Sequence, residues 1–510
     1  MDNDIIIIGG GLGGLFTGAI LAKEGRQVTV LEKNATAGGG LQTFRRFGTT
    51  FDTGMHVIGG MQPGGNIHRI CEYLGIADRV KLMDVDDDCT DCLYFAEDRK
   101  TYRIRKGREG FVDSLAAYFP AEREGLQRYV DAIYRMTEDI DLFNLRPSSD
   151  YMMVHEPEFM MATDAFIAKF VADERLRSVI AYMNPLYGGR HDETPAFIHA
   201  IINVLYINGA SRFVDGSQHF ADLLVDVIES NGGQVVTADG VTRIEVADRL
   251  VQYVETRSGR RYTAHWYISA IHPCAMFPLM PEKALPKAYR MRLDSIPNAY
   301  SAFLVYVKLK ERSFPYINHS VYYMSTYRDI WNFGEEGKPW PLGFLFMTAP
   351  DDPQDEFGHK VLITAPMLYS EVERWTDTKT GRRGADYEEW KRQCTRILME
   401  KVEEMYPSFS DCIESINTAS PLTIRDFFGS KEGTLCGFSK DCRNIALSQV
   451  PVVTKIHNLL LTGQNNNLHG FCGVPLTAIN TAEVILGKNY VLNKINEREK
   501  ALRETTGTTH

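Results

Sequence analysis

The chain has 510 residues, 44% of them apolar and 24% charged, an ordinary globular balance at a length that favours two or three folded units. Its formal net charge of −10 excludes a broad nucleic-acid surface and a polybasic grip on anionic lipid, so a membrane could be met only peripherally, through apolar residues. No uninterrupted apolar stretch reaches the roughly 18 residues of a spanning helix.

Asp4–Ile8 reads as a short buried strand, too short for a secretory leader and ended by glycines. The nine cysteines are therefore expected as free thiols of a cytoplasmic chain. The strand runs into Gly9-Gly10-Gly11-Leu12-Gly13-Gly14 and then a small-residue helix through Gly18, Ala19 and Ala22. A second strand, Gln27–Leu31, ends in Glu32. Strand, G-x-G-x-x-G, helix, strand and acid in this order form an adenine-dinucleotide signature. Gly9 permits the tight turn, Gly11 lets backbone approach a pyrophosphate, and Gly14 lets helix and strand pack closely. The helix N-terminus offers free N–H groups to phosphates. Glu32 can accept ribose hydroxyls, and its charge disfavours a 2′-phosphate.

After Glu32 come Lys33, the cluster Gly38-Gly39-Gly40 with Leu41-Gln42-Thr43-Phe44, and Phe51-Asp52-Thr53-Gly54-Met55-His56-Val57-Ile58-Gly59. Glycines just past the ribose acid suit a long, bent FAD, whose pyrophosphate and ribityl chain need close backbone. These motifs resemble the FAD-binding oxidoreductases of the amine oxidase and phytoene desaturase superfamily, in particular the branch of retinol saturase and carotenoid isomerase. Many desaturases and amine oxidases carry an arginine where this chain has Gly40 and Leu41, which removes one cation expected near the pyrophosphate. Cys89 and Cys92 form a lone CxxC without a second pair at zinc spacing, so no metal site is expected.

Two segments, 110–142 and 151–206, are helical and rich in Met, Phe and Tyr, among them Tyr129, Tyr151, Met152, Met153, Met160, Met161, Tyr182, Met183, Tyr187 and Tyr206. Such residues fill core, and collectively they also suit a long apolar channel. Phe220, Leu223, Leu224, Val227 and Ile228 mark one helix face, closed by Gly232-Gly233. Strands follow at Gln234–Thr237 and Val241–Glu245, then a hairpin of Leu250–Thr256 and Arg261–His265, then the apolar run Trp266–Ile271. By the resemblance this block completes the FAD unit, with the Val241 backbone meeting the adenine. Ser301–Leu309 reads as a strand, and Trp390, Cys394, Ile397, Leu398, Val402 and Met405 as one helix face ending at Tyr406-Pro407.

Near the end lie a strand, Asn458–Leu461, the loop Gly463-Gln464-Asn465, Gly470, Gly473-Val474-Pro475, and a helix from about Leu476 to Leu486. In the resembling proteins this unit closes over the flavin, and a helix N-terminus favours the negative charge of a reduced flavin. Gln464 stands where many relatives have an acid.

The fold expected is α/β: a Rossmann-type FAD-binding domain, discontinuous in sequence, with an inserted α+β substrate domain of mixed sheet and helices. The FAD domain is expected over 1–80, 210–275 and 450–488, the substrate domain over 81–209 and 276–449, and a charged C-terminal tail over 489–510. The resemblance implies an FAD site of Gly9, Gly11, Leu12, Gly13, Gly14, Glu32, Lys33, Gly38, Gly39, Gly40, Leu41, Val241, Gly463, Gln464, Gly473 and Val474. His56 is the candidate acid or base beside the flavin, ahead of His199, His469 and Tyr187. No second dinucleotide motif appears, so the electron donor or acceptor is an unidentified partner. The activity implied is saturation, desaturation or isomerisation of an apolar polyene or isoprenoid lipid. The alternatives are a flavin amine or porphyrinogen oxidase, and a non-catalytic lipid carrier like the Rab GDP-dissociation inhibitors, which would have no need of an intact phosphate cradle.

Overall fold

The computed structural model describes residues 3–54, 56–148, 155–352 and 354–506; Met55 of the histidine motif and Tyr151, Met152 and Met153 of the methionine-rich segment lie outside the described residues. Asn3–Ile8 is the middle strand of a five-stranded parallel sheet. Its neighbours are Val28–Leu31 and Gln234–Val236 on one side and Ala264–Ser269 and Leu459–Leu461 on the other. The period of two divides its isoleucines between two layers. Ile5 and Ile7 pack with the helices Leu12–Lys23, Gln218–Ser230 and Gly470–Leu486. Ile6 and Ile8 pack with a small antiparallel sheet whose main strands are Val241–Ala247 and Leu250–Thr256. Burial on both faces explains why the strand reads as an unbroken apolar run.

The hairpin read at Arg261–His265 is shorter than expected. Only Arg261–Tyr262 pairs with Leu250–Thr256, and Ala264–Ser269 leaves to join the parallel sheet. The helix expected from Leu476 begins at Gly470, with Pro475 inside it. Glycine and proline there imitate a loop, yet only one interior N–H is lost to the ring, and Thr477 donates its hydroxyl to the Gly473 carbonyl at 3.0 Å.

A seven-stranded sheet forms the second layer system, in the order Ile413–Ala419, Ser301–Leu309, Lys360–Met367, Gly343–Thr348, Ser320–Met324, Asp91–Phe95, Lys100–Ile104. All its pairs are antiparallel except Ser320–Met324 with Asp91–Phe95. Phe303, Val305 and Val307 face the long helix Ala385–Met405 through Cys394, Leu398 and Val402. Ala302, Leu304 and Tyr306 point the other way, toward Phe51 and the interior of the molecule. Cys89 and Cys92 are free thiols, and Cys92 packs on the side of the long helix.

Residues 490–506, within the segment expected as a charged tail, form a helix. Val491, Leu492 and Ile495 are buried in the main core, and Arg69 on Asn66–Leu74 pairs with Glu499 at 2.6 Å. Three apolar residues at helical spacing are a weak signal in sequence, and the surrounding charges outweigh it. Among the described residues no single helix is long and apolar enough to cross a membrane.

Candidate functional site

A cavity of about 550 Å³ lies between the parallel sheet, the seven-stranded sheet and the helix Ala196–Ile207. One end is backbone. Gly9 has φ of +101°, a conformation that favours glycine, and a Cβ on Gly14 would sit 2.0 Å from the Gly9 carbonyl oxygen. That contact is the close helix–strand approach the motif predicts. Gly11 and Gly40 line the cavity, and a Cβ on Gly40 would meet no protein atom within 4 Å, so the space beside it is ligand space. The helix Leu12–Lys23 has no side-chain cap at Gly11, which leaves its first-turn N–H groups and positive dipole end to the cavity. Two backbone donors fix the Glu32 carboxylate in place. Its Oε2 accepts the Gly10 N–H at 2.8 Å and its Oε1 the Asn34 N–H at 2.8 Å. Both oxygens keep further lone pairs for hydroxyl donors.

Of the sequence-derived FAD set, Gly9, Gly11, Leu12, Gly13, Glu32, Lys33, Gly39, Gly40, Val241, Gly463, Gln464, Gly473 and Val474 line the cavity. Gly14, Gly38 and Leu41 stand behind its wall. The Gly38 N–H donates to the Gly10 carbonyl at 2.7 Å, and the Leu41 carbonyl accepts the Ser217 hydroxyl at 2.9 Å. These three residues shape the cradle from behind its lining. Lys33 turns its ammonium to the Asp426 carbonyl at 2.9 Å, and burial lowers its pKa.

The other end is side chain. Ile198, Ile201, Ile202, Leu205 and Tyr206 form one stripe of the helix Ala196–Ile207. Their spacing of i, i+3, i+4, i+7 and i+8 is a single helical face, a signal present in the sequence and not drawn from it. Ala302, Leu304, Tyr322, Met324, Leu345 and Met347 come from the inward face of the seven-stranded sheet. Of the two Met-, Phe- and Tyr-rich segments expected to suit an apolar channel, 151–206 supplies Pro185, Leu186 and this stripe, although of its described Met and Tyr residues named above only Tyr206 lines the cavity; 110–142 supplies none of the lining. Tyr129, Tyr182, Met183 and Tyr187 are buried in the core instead. Core and channel select the same side chains, so composition could not separate them.

The three histidines differ. His56 lines the cavity, and burial together with the positive charge of Arg212 pushes its pKa down to about 3. At neutral pH its imidazole is therefore uncharged. His199 is wholly buried, with Nε2 bonded to the Tyr129 hydroxyl at 2.7 Å and Nδ1 to the Tyr187 hydroxyl at 3.0 Å. Burial takes its pKa to about 3, and its partners make it a core residue. His469 lines the cavity just before the helix Gly470–Leu486, and burial, reinforced by Lys440, lowers its pKa to about 4.

A glycine cradle, an uncapped helix end and a preset carboxylate on a parallel sheet define a dinucleotide-dependent oxidoreductase. Residues 12–378 match the flavin containing amine oxidoreductase family, and the chain belongs to it. It is 26% identical to the all-trans-retinol 13,14-reductase of Rattus norvegicus, over 95% of this chain and 86% of that one. It is 25% identical to prolycopene isomerase 2, chloroplastic, of an Oncidium hybrid cultivar, over 84% of this chain and 74% of that one. The fold is shared with an oxidoreductase of Methanosarcina mazei at a TM-score of 0.65 and 17% identity, over 94% of this chain and 100% of that one. The cofactor is FAD: the family is flavin-dependent, and the open faces of Gly11 and Gly40, the uncapped helix and Glu32 fit that dinucleotide. An intact cradle is what a cofactor-free lipid carrier would not need.

Proposed function

We propose that the chain is an FAD-dependent oxidoreductase acting on carbon–carbon bonds, by saturation, desaturation or isomerisation, of an apolar polyene or isoprenoid lipid. The observation that carries this is the cavity beyond the cradle, walled by Ile198, Leu205, Leu304, Tyr322 and Met347 from two unrelated elements. Such a wall offers an amine no carboxylate partner and suits a hydrocarbon chain. The similarity to a retinol reductase and a prolycopene isomerase over most of the chain supports the same substrate class.

In this reading Glu32 would bind the adenine ribose, the first turn of Leu12–Lys23 with Gly11 would hold the pyrophosphate, and Gly463, Gln464, Gly473 and Val474 would border the flavin. FAD, when bound, supplies two-electron chemistry at its flavin ring. The chain's own residues exclude water and orient the lipid: the helix stripe and sheet face pack its two sides, and neutral His56 stands at the wall without holding a charge there. The electron donor or acceptor is a separate partner. The proposal extends to location, as a cytoplasmic chain that collects lipid at a membrane surface.

The test begins with the purified yellow holoenzyme, reduced under anaerobic conditions and mixed with all-trans-retinol or prolycopene. Reoxidation of the flavin with gain of two hydrogens by the lipid identifies a saturase. Bleaching of the oxidised flavin by a more saturated carotenoid identifies a desaturase, and changed double-bond geometry without net redox an isomerase. A flavin that responds to benzylamine or putrescine and to no polyene would sink the lipid reading.

A further inference from the structure

The strand Ala210–Phe213 buries a cation that the cradle does not use. Arg212 is 1% exposed. Its Nη1 donates to the Thr348 carbonyl at 2.6 Å and the Ile317 carbonyl at 3.1 Å, while Nε and Nη2 have no hydrogen-bond partner. No carboxylate of the described residues forms a salt bridge with it; Asp91 and Asp86 act only from farther off, and Asp91 already accepts the Tyr182 hydroxyl at 3.0 Å. The Tyr316 hydroxyl donates to Asn318 Oδ1 at 3.2 Å and turns its oxygen toward the guanidinium as a neutral acceptor, which leaves the charge without a paired anion. A buried guanidinium without a paired anion is costly. Nε–H and the neighbouring Nη2–H form one edge of the guanidinium plane, and that edge matches the two oxygens of a carboxylate.

Arg212 lines a side pocket of about 20 Å³ with Asp52, His56, Tyr306, Met347 and Lys360. That volume admits one small polar group. His56 and Met347 line both this pocket and the main cavity. The sheet face that covers the cavity through Leu304 and Met347 continues over the side pocket through Tyr306 and Leu362. The other charges there are committed. Lys360 pairs with Asp351 and donates to the Thr50 carbonyl at 2.9 Å. Asp52 Oδ1 accepts the Ser217 N–H at 2.7 Å and hydroxyl at 2.8 Å, and burial raises its pKa. Arg212 is thus the charge with unused donors in this pocket.

We propose that the side pocket binds a carboxylate at the end of the lipid substrate, paired side-on with Arg212, while the apolar chain lies in the cavity. This rests on the lipid reading given above and adds the polar terminus that reading lacks. Fixing one end of a flexible chain sets which of its double bonds reaches the flavin.

The holoenzyme is titrated, without turnover, with all-trans-retinoate and its methyl ester and with oleate and its methyl ester, followed by tryptophan quenching and perturbation of the flavin band. Each acid should bind at least tenfold more tightly than its ester, the size of one charge-assisted hydrogen bond. Arg212→Met should bring the ratio near one and leave ester affinity in place. Arg212→Lys keeps the charge, loses the two-donor edge and should retain only part of the preference; it decides the matter if the methionine variant does not fold. Equal affinity of acid and ester in the wild type, with no binding of any of the four included, overturns the proposal and leaves only a water in the pocket. A preference that survives both substitutions overturns it equally. If the oleate pair shows the effect and the retinoid pair does not bind, the carboxylate site stands and the polyene reading falls.

Discussion

The parallel sheet and the seven-stranded sheet border the same cavity, and they meet its contents by different means. The parallel sheet presents backbone: the Gly9–Gly14 turn, the uncapped start of Leu12–Lys23 and the flat faces of Gly11 and Gly40. The seven-stranded sheet presents alternate side chains, Ala302 and Leu304 from one strand and Leu345 and Met347 from another. A phosphate-bearing cofactor asks for backbone geometry that few residues allow. An apolar ligand asks for side chains that any core also asks for.

The sharpest way to break this contrast is in the glycines. Gly14→Ala places a Cβ 2.0 Å from the Gly9 oxygen, so the turn must move. Loss of soluble yield and of flavin absorbance together is expected, and a variant with normal flavin content would refute the packing role. Gly40→Ala meets no protein atom and should fold normally with a weakened grip on FAD, read as flavin released on dilution.

Acid comes next in size. His56, His199 and His469 have ordinary pKa values near 6.5 when unfolded and about 3, 3 and 4 when folded. Above pH 6.5 both states carry neutral imidazole. Between pH 6.5 and the folded values only the unfolded chain takes up the proton, so stability falls as pH drops. The loss is about 2 kcal/mol per histidine at pH 5. Denaturant midpoints measured at pH 7 and pH 5 should show it, although His272, lowered to about 4, adds to the slope and Asp91, raised to about 6, opposes it; His199→Gln, compared with its own pH 7 value, should lose the share that His199 contributes. Midpoints that do not change with pH would mean that these imidazoles are not held neutral.

The mildest change is expected on the side-chain wall. Ile202→Phe narrows the cavity, and lipid affinity should fall several-fold while flavin content and melting temperature stay put. A matching loss of flavin would show that the two ends of the cavity are not separable.

The same contrast governs how much could be read from sequence. The Gly9–Gly14 turn, Glu32 and Gly463 were legible because the backbone conformation or close approach at each position suits few residues. The strand Ser301–Leu309 and the Cys394, Leu398, Val402 helix face were legible from periodicity. Periodicity does not say what a face packs against. Within 151–206 the cavity is therefore lined by the stripe from Ile198 to Tyr206, while the more conspicuous Tyr182, Met183 and Tyr187 are core. His56 was placed correctly at the wall, but its neutrality depends on burial and on Arg212, which is distant in sequence. Arg212 itself gives no sequence signal, since its unused edge exists only once Thr348 and Ile317 have taken the other.

The alternation along Ser301–Leu309 has a practical reach. Because Ala302 and Leu304 face the ligand while Phe303 and Val305 face the long helix, diversity introduced at the former pair can change what is bound with little disturbance to folding. Leu345, Met347 and Thr364 extend the same set across neighbouring strands. A combinatorial library confined to these positions would explore new substrates on an intact scaffold, and one built on Phe303, Val305 and Ile363 would spend its members on misfolded protein.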